Sequence, residues 1–534
     1  MLPRELRIGM NADMDVYGEC AAQLGEEATT DDFLRCFSSQ LSSPAFGVDP
    51  FSREVLLVFA AALVFLMQSG FAMVCAGAIR KKNMQNSMLK NLLDACGAAV
   101  SFFVVGYAFA FGGAASGSTE TTFVGNTGFF LQGVDDYAFF SYNSAFAAAT
   151  VTIVAGTLAE RCQMTAYFGY SVLLAGWVWP IIVRAVWSNE GFLSAFHVDP
   201  LWGVGMVDFA GGGVVHVCGG LTALYAAIIL GPRRGRFHDD EGLPLDEPKK
   251  IVGHSMALQM LGTFILWFGW IGFNVGPVLT APGDILTRAG LVMVNTTLSG
   301  GIAGITGLFF NLWLLERRTG EPIFDLQYAM NGSLAGLVAI TAGAGLVEPW
   351  AAFVIGFIAG ILYTIGSYLL LYFKIDDAVD AVPVHLFNGV WGLIAVGCFA
   401  VPDHLEVFYG RSDHPGWFYS VREGDSNGRL MGVQLVGFLF IVGWVTFIMF
   451  PFFIFLNWAG WLRADPLDEI VGLDLSYHEG LALVQTHADN AGDVDDKHIQ
   501  EYKERRASRA NIKVNSAELM TGLASGEMDD EKSH

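Results

Sequence analysis

Long apolar runs broken by short polar segments dominate this chain. Eleven runs reach roughly 20 residues, near 55–79, 91–113, 139–158, 164–187, 204–230, 251–276, 286–315, 325–346, 349–373, 382–402 and 430–461. About 20 residues of helix cross a hydrocarbon core about 30 Å thick, so each run predicts a membrane span. Lys and Arg fall in alternate breaks: "IRKKN" (79–83), "AERCQ" (159–163), "GPRRGRF…EPKK" (231–250), "ERRTG" (316–320) and Lys374. That bias predicts an extracellular N-terminus and a cytosolic C-terminus. Spans 1–5 and 6–10 form equal halves. Five is odd, so the second half starts from the opposite side. The expected fold is all-α, a polytopic membrane protein of 11 transmembrane helices, with an inverted 5+5 repeat around a narrow pore and one extra helix.

The flanks differ in character. Residues 1–53 predict an extracellular N-terminal segment, 54–462 a membrane domain, and 463–534 a cytosolic C-terminal tail. The tail reads as disordered after about 485, with a short charged helix at 497–510. No cleavable signal peptide is visible, so the first span is expected to serve as the targeting signal.

Composition agrees with a membrane chain. Of 534 residues 53% are hydrophobic and only 15% charged, below the roughly 25% of a soluble domain. Mean hydropathy is +0.45. The net charge of −22 excludes nucleic acid as an expected partner. Seven cysteines show no metal-finger spacing, and no cofactor is implied. Cys75, Cys96, Cys162, Cys218 and Cys398 read as small packing residues in or beside spans. Cys20 and Cys36, in the outer segment, admit a disulfide within or between subunits.

Two histidines change the picture. His216 in "DFAGGGVVHVCGGL" and His385 in "DAVPVHLFNGVWGLIA" occupy the last span of each half. A lone histidine in a span reads as a core imidazole bonded to a backbone carbonyl. Two at matched positions read as a pair lining one path, able to bond each other and a small polar solute, or to relay a proton. The ligand count is too small for structural or catalytic zinc, and no serine completes a triad. Asp208 lies more than two helical turns before His216, too far to be its direct partner. It reads as a helix cap with an electrostatic role, or as a direct cation ligand. Asp380 is expected to play a similar role at the inner end of span 10. Trp187, Phe146, Trp270 and Phe273 read as packing, or together as an aromatic vestibule that holds a small cation and then gates the path.

In combination, "LMQSGFAMVCAGAIRKKN" (66–83), "AFAAATVTIVAGTLAER" (145–161), "VDFAGGGVVH" (207–216), "GWIGFNVG" (269–276) and "DAVPVHLFNGVWGLIA" (380–395) resemble the ammonium transporters of the Amt/Mep/Rh superfamily, on the Amt side. "DEIVGLDLSYHEG" (468–480) resembles that family's cytosolic regulatory segment. The resemblance runs from about 55 to 480. It implies a plasma-membrane homotrimer with one pore per subunit and ammonium, or methylammonium as analogue, as substrate. It assigns Trp187 and Asp208 to an outer site, Phe146 and Phe273 to a stacked gate with Trp270 beside it, and His216 and His385 to the twin-histidine pore. Asp380 is matched to the second-half aspartate. Gly472 and Ser476 are matched to the regulatory tail, Ser476 at the place of a threonine that a kinase modifies in plant relatives.

The sequence departs from the pattern at three places. Asn143 stands where Gln is common, Leu386 puts bulk where Gly follows the second histidine, and Pro277 replaces an outer-site Ser found in some members. Two other functions stay open beside transport: a non-conducting ammonium sensor and a passive Rh-like ammonia gas channel. An enzyme is not expected, because no nucleophile or metal set accompanies the histidines. "NTT" (295–297) and "NGS" (331–333) match the glycosylation pattern but fall in spans.

Overall fold

The computed structural model describes residues 50–113, 119–239, 241–280, 285–422, 424, 427–478, 497–506 and 508. Cys20 and Cys36 lie outside the described residues. Among the described residues regular structure is helical, with only isolated β-bridges.

Eleven long helices follow the eleven apolar runs. They are α1 (Pro50–Ala78), α2 (Lys81–Phe111), α3 (Tyr137–Ala155), α4 (Met164–Trp187) and α5 (Gly212–Leu230). The second half holds α6 (Met256–Val275), α7 (Ile285–Thr319), α8 (Leu326–Thr341), α9 (Pro349–Tyr372) and α10 (Val382–Phe399). The extra helix is α11 (Arg429–Trp458). Ten are long and apolar enough to cross a bilayer by themselves. The exception is α8, at 16 residues.

The short α8 has a structural cause. Its last carbonyls do not continue a helix. Phe209 N–H donates to the Ala342 carbonyl at 3.0 Å and Ala210 N–H to that of Thr341 at 3.1 Å. The segment leading into α5 therefore crosses the end of α8. The other half repeats this: the segment leading into α10 lies on the end of α3, where a Cβ at Gly156 would meet Val379 Cγ2 at 2.4 Å. The same crossing corrects one boundary. The fifth span is expected from residue 204, but the helix starts at Gly212, because Gly211 turns the chain at φ +103° and Asp208 caps the turn.

Small residues let the two halves meet. A Cβ at Gly262 of α6 would lie 2.6 Å from the Gly70 carbonyl of α1, and one at Gly269 would lie 2.2 Å from Met67. Close backbone approach is how membrane helices gain dispersion contacts that lipid alone does not supply.

The basic loops gather at one end. Arg233 bonds Asp376 at 2.8 Å and Glu160 at 3.2 Å, and Arg80 Nε donates to Glu160 at 2.6 Å. Arg161 donates to the Asp376 carbonyl at 2.6 Å. Lys250 pairs with Asp325 at 3.3 Å, joining the 231–250 loop to the start of α8. Burial would raise both network carboxyls, but Arg233, with Arg80 for Glu160 and Arg161 for Asp376, more than offsets it. Asp376 and Glu160 are held below the usual carboxylate range.

After α11 the chain forms α12 (Pro466–Val471) and α13 (Leu473–Tyr477). Residues 497–506 are helical, as the charge pattern of the tail predicts for that stretch.

A candidate pore built by two matched helix starts

Each histidine sits in a widened first turn of its helix. Gly211, at φ +103°, turns the chain into α5, and both Val215 and His216 donate their N–H to its carbonyl, at 2.9 and 3.1 Å. That shared acceptor makes Gly212–Val217 a π turn. Val382–Phe387 is the matching π turn of α10, where Val384 N–H reaches the carbonyl of Asp380, itself at φ +60°. Such turns recur at functional sites because the extra residue re-aims one side chain.

Asp208 is buried, and both its oxygens are used. Oδ1 accepts the Gly211 and Gly212 amides at 3.0 and 2.7 Å, and Oδ2 those of Gly213 and Val214 at 2.8 and 2.8 Å. It is a cap that takes four free N–H groups of one helix start. The three glycines serve close packing too, since a Cβ at Gly212 would meet Ala342 Cβ at 2.7 Å.

The second half corrects one expectation. Asp380 does not cap α10. Its carboxylate accepts the Tyr363 hydroxyl at 3.0 Å and the Ser367 hydroxyl at 3.2 Å, from α9. Burial and the nearby Asp377 push its carboxyl up to about 7. The cap is Asp377, which accepts Val382 N–H at 2.7 Å, Val379 N–H at 3.3 Å and the Thr157 hydroxyl at 3.2 Å. The signal was in the sequence: Asp208 precedes His216 by eight residues, and Asp377 precedes His385 by eight. Asp380 stands in the register of Gly211.

Rings form a column toward the histidines. Trp187, at the end of α4, donates Nε1–H to the Asp208 carbonyl at 2.8 Å. Its ring meets Phe146 edge-on at 5.9 Å. Phe146 stacks on Phe273 with centroids 4.1 Å apart, which leaves no gap between them. His216 follows, stacked 5.5 Å from Phe273 and 5.3 Å from Trp270. Trp270 is anchored by its Nε1–H on Thr341 Oγ1 at 3.0 Å. His216 Nδ1 and His385 Nδ1 are 3.1 Å apart. One of those two nitrogens must carry the hydrogen and the other the lone pair. His216 Nε2 is buried and has no hydrogen-bond partner in the protein, so it is available to a solute. Beyond His385 lies a cavity of about 30 Å³ lined mainly by apolar side chains, Phe71, Val74, Ile153 and Leu266 among them. That is enough space to admit a water-sized solute.

The three departures have local explanations. Asn143 turns its amide to the Phe139 carbonyl of its own helix at 2.9 Å. Leu386 is backed onto Gly220 of α5, where a Cβ would lie 2.5 Å from Leu386 N, and it does not line the cavity. Pro277 lies in the 3-10 turn Gly276–Thr280 after α6 and offers no hydroxyl there. Sequence reasoning missed Tyr142, whose hydroxyl donates to the Phe273 carbonyl at 3.0 Å while its ring lies 4.7 Å from Phe146. The glycosylation patterns lie in α7 and α8, and Asn295 is buried with its amide on the carbonyls of Ala344 and Val347.

The tail docks on the loop face. Asp474 accepts the Gln85 and Asn86 amides at the start of α2, at 3.0 and 2.7 Å. Glu469 accepts Arg234 N–H at 2.9 Å and pairs with Arg463 at 2.8 Å. Gly472 sits at φ +104°, where a Cβ would be 2.7 Å from Lys82. The Ser476 hydroxyl donates to the Gly472 carbonyl at 3.2 Å.

The closed aromatic column and the paired imidazoles lie inside a polytopic, all-α membrane fold. Comparison with known proteins narrows this. A sequence profile of the Ammonium Transporter Family matches residues 55–483, and the chain belongs to that family. It is 40% identical over 447 residues to "Ammonium transporter 1 member 3" of Solanum lycopersicum, covering 80% of this chain and 92% of the relative. The fold is similar to a solved "Sensor Amt Protein", at TM-score 0.67 and 31% identity, covering 80% of this chain and 98% of that one. It is also similar to the crystal structure of Saccharomyces cerevisiae Mep2, at TM-score 0.66 and 25% identity, covering 80% and 92%.

Proposed function

We propose that this transporter recruits ammonium at Trp187 and Asp208, strips its proton, and conducts ammonia past Phe146 and Phe273 to His216 and His385. The observation that carries the reading is the imidazole pair, 3.1 Å apart, placed directly behind stacked phenylalanines. The face of Trp187 attracts a cation. Asp208 acts through the carbonyl it orients and the charge it adds to the outer mouth, because its carboxylate is already filled by amides.

The narrow column then selects by chemistry. An intact ion at mid-membrane costs at least about 2.5–3.5 kcal/mol, while neutral ammonia does not carry that penalty. Potassium matches ammonium in charge and size but has no proton to lose. The released proton crosses separately: it enters one imidazole nitrogen as another leaves the paired ring, so charge moves without an ion in the lumen. Trp187, Asp208, Phe146, Phe273 and Trp270 form the substrate path in this reading, and His216 and His385 the relay. The subunit works as a homotrimer in the plasma membrane, with the basic loops and the tail cytosolic. A kinase acting on Ser476 would add charge at the docked tail near Gly472.

Electrophysiology with ammonium, methylammonium and potassium tests this. His216→Asp or His385→Ala should lose the ammonium current or its discrimination against potassium. Unchanged current and selectivity in both variants would overturn the relay.

A further inference from the structure

The underside of the tail is not left open. Leu467, Val471 and Leu475 of α12 and α13 form a small buried apolar cluster, and Tyr502 of the 497–506 helix packs against it. One helical turn on, Arg505 forks onto Asp465, with 2.8 Å from each terminal nitrogen to a separate oxygen. Asp465 is also the cap of α12, accepting Leu467 N–H at 3.1 Å. The Tyr502 hydroxyl donates to the carbonyl of Ser476 at 3.4 Å.

Charge favours the same pairing. Residues 497–506 carry four Lys/Arg against two Glu, whereas 465–478 carry four Asp/Glu and no Lys or Arg. Tyr502 and Arg505 are three residues apart and so share one face of the helix. A planar guanidinium on a carboxylate fixes direction as well as attraction. The helix therefore lies in one register over α12 and α13.

We propose that residues 497–506 are a basic clasp, the intramolecular partner of the acidic tail face, and that Ser476 opens to modification only when the clasp is released. A modifying enzyme must reach the Ser476 hydroxyl and the backbone on either side of it. The clasp bonds that backbone at the Ser476 carbonyl. Release needs no change in the pore, so the clasp stands apart from the transport reading.

Ser476→Cys in the full-length protein supplies the probe, with labelling of position 476 by a soluble maleimide followed by peptide mass spectrometry. Adding Arg505→Glu and Tyr502→Ala should speed labelling roughly 5-fold, the range for losing an exposed ion pair and one aromatic contact. Arg505→Lys, which keeps a charge but loses the fork, should fall between. Added synthetic peptide 497–506 should slow labelling of the released variant. Raising salt should speed the parent protein and leave the released variant unchanged. Equal labelling in parent and released variant overturns the proposal. So does protection that appears only with vesicles of anionic lipid, which would make a membrane surface the partner of this helix. Hydrogen exchange over 466–477 separates the clasp from local misfolding, since only release raises it there while α1–α11 stay protected.

Discussion

Asp208→Asn tests whether this aspartate works as a cap or as a ligand. Asn keeps one acceptor oxygen. That oxygen holds the Gly211 and Gly212 amides, now at 3.0 and 2.7 Å. Its NH2 group then faces the amides of Gly213 and Val214, which Asp208 accepts at 2.8 and 2.8 Å. Two buried donors lose their acceptor, at about 1–3 kcal/mol each, so the substitution removes about 2–6 kcal/mol. Loss of the negative charge at a helix start adds up to about 2 kcal/mol. Both are large against the 5–15 kcal/mol of a typical fold. Thermal unfolding of purified protein should show a lower midpoint, and ammonium current should fall with it as the π turn that aims His216 loosens. If the current vanished while the midpoint stayed at the parent value, the cap argument would be wrong and Asp208 would be acting on the cation itself.

The other helix start should respond in kind, because Asp377→Asn weakens one strong amide bond. A loss of about 1–3 kcal/mol in unfolding measurements is expected, and Asp380→Asn should not reproduce it. Gly220→Ala drives a Cβ to 2.5 Å from Leu386 N, so it should cost about 1–3 kcal/mol of overpacking and lower the current by displacing His385. The contact is with the Leu386 backbone, so adding Leu386→Gly should leave the current low, and full recovery would deny that backbone fit. Gly472→Ala is strained at φ +104° and meets Lys82, so hydrogen exchange should show the tail released from the start of α2. The ionic network sets an acid limit. Asp376 and Glu160 are held below the carboxylate range, so their stabilisation is whole above roughly pH 4 and fades as pH falls through their lower folded values. Arg233→Met should flatten the acid side of a midpoint-against-pH curve, and an unchanged curve would rule the network out as its source.

Much of the fold was legible because a bilayer enforces it. Backbone groups in hydrocarbon must bond within the segment, so apolar runs of the right length become helices almost regardless of neighbours. The eleven runs and the eleven helices correspond for that reason. The site was legible in its residue types but not in its assignments. In sequence Asp380 reads as the counterpart of Asp208 because it precedes a histidine in an apolar stretch, whereas the amides belong to Asp377, at the same eight-residue spacing. Leu386 looked obstructive because a sequence does not show that Gly220 stands behind it. Tyr142 was passed over because one more aromatic in an aromatic-rich span carries no signal.

The sequence by itself determined which apolar runs become helices, the face that gathers the basic loops, and the two histidines that needed a reason to be in the membrane. These are set by local solvation: charge stays in water, and a helix needs about 20 residues to cross. Tertiary structure decided which carboxylate caps which helix, that α8 stops short where the segment before α5 crosses it, and that the two Nδ1 atoms meet at 3.1 Å. It also decided that the basic helix at 497–506 returns to α12 and α13, with the Tyr502 hydroxyl on the Ser476 carbonyl and Arg505 on Asp465. Each depends on which groups far apart in the chain compete for the same amides, carbonyls and space, and that competition is settled only when the helices pack.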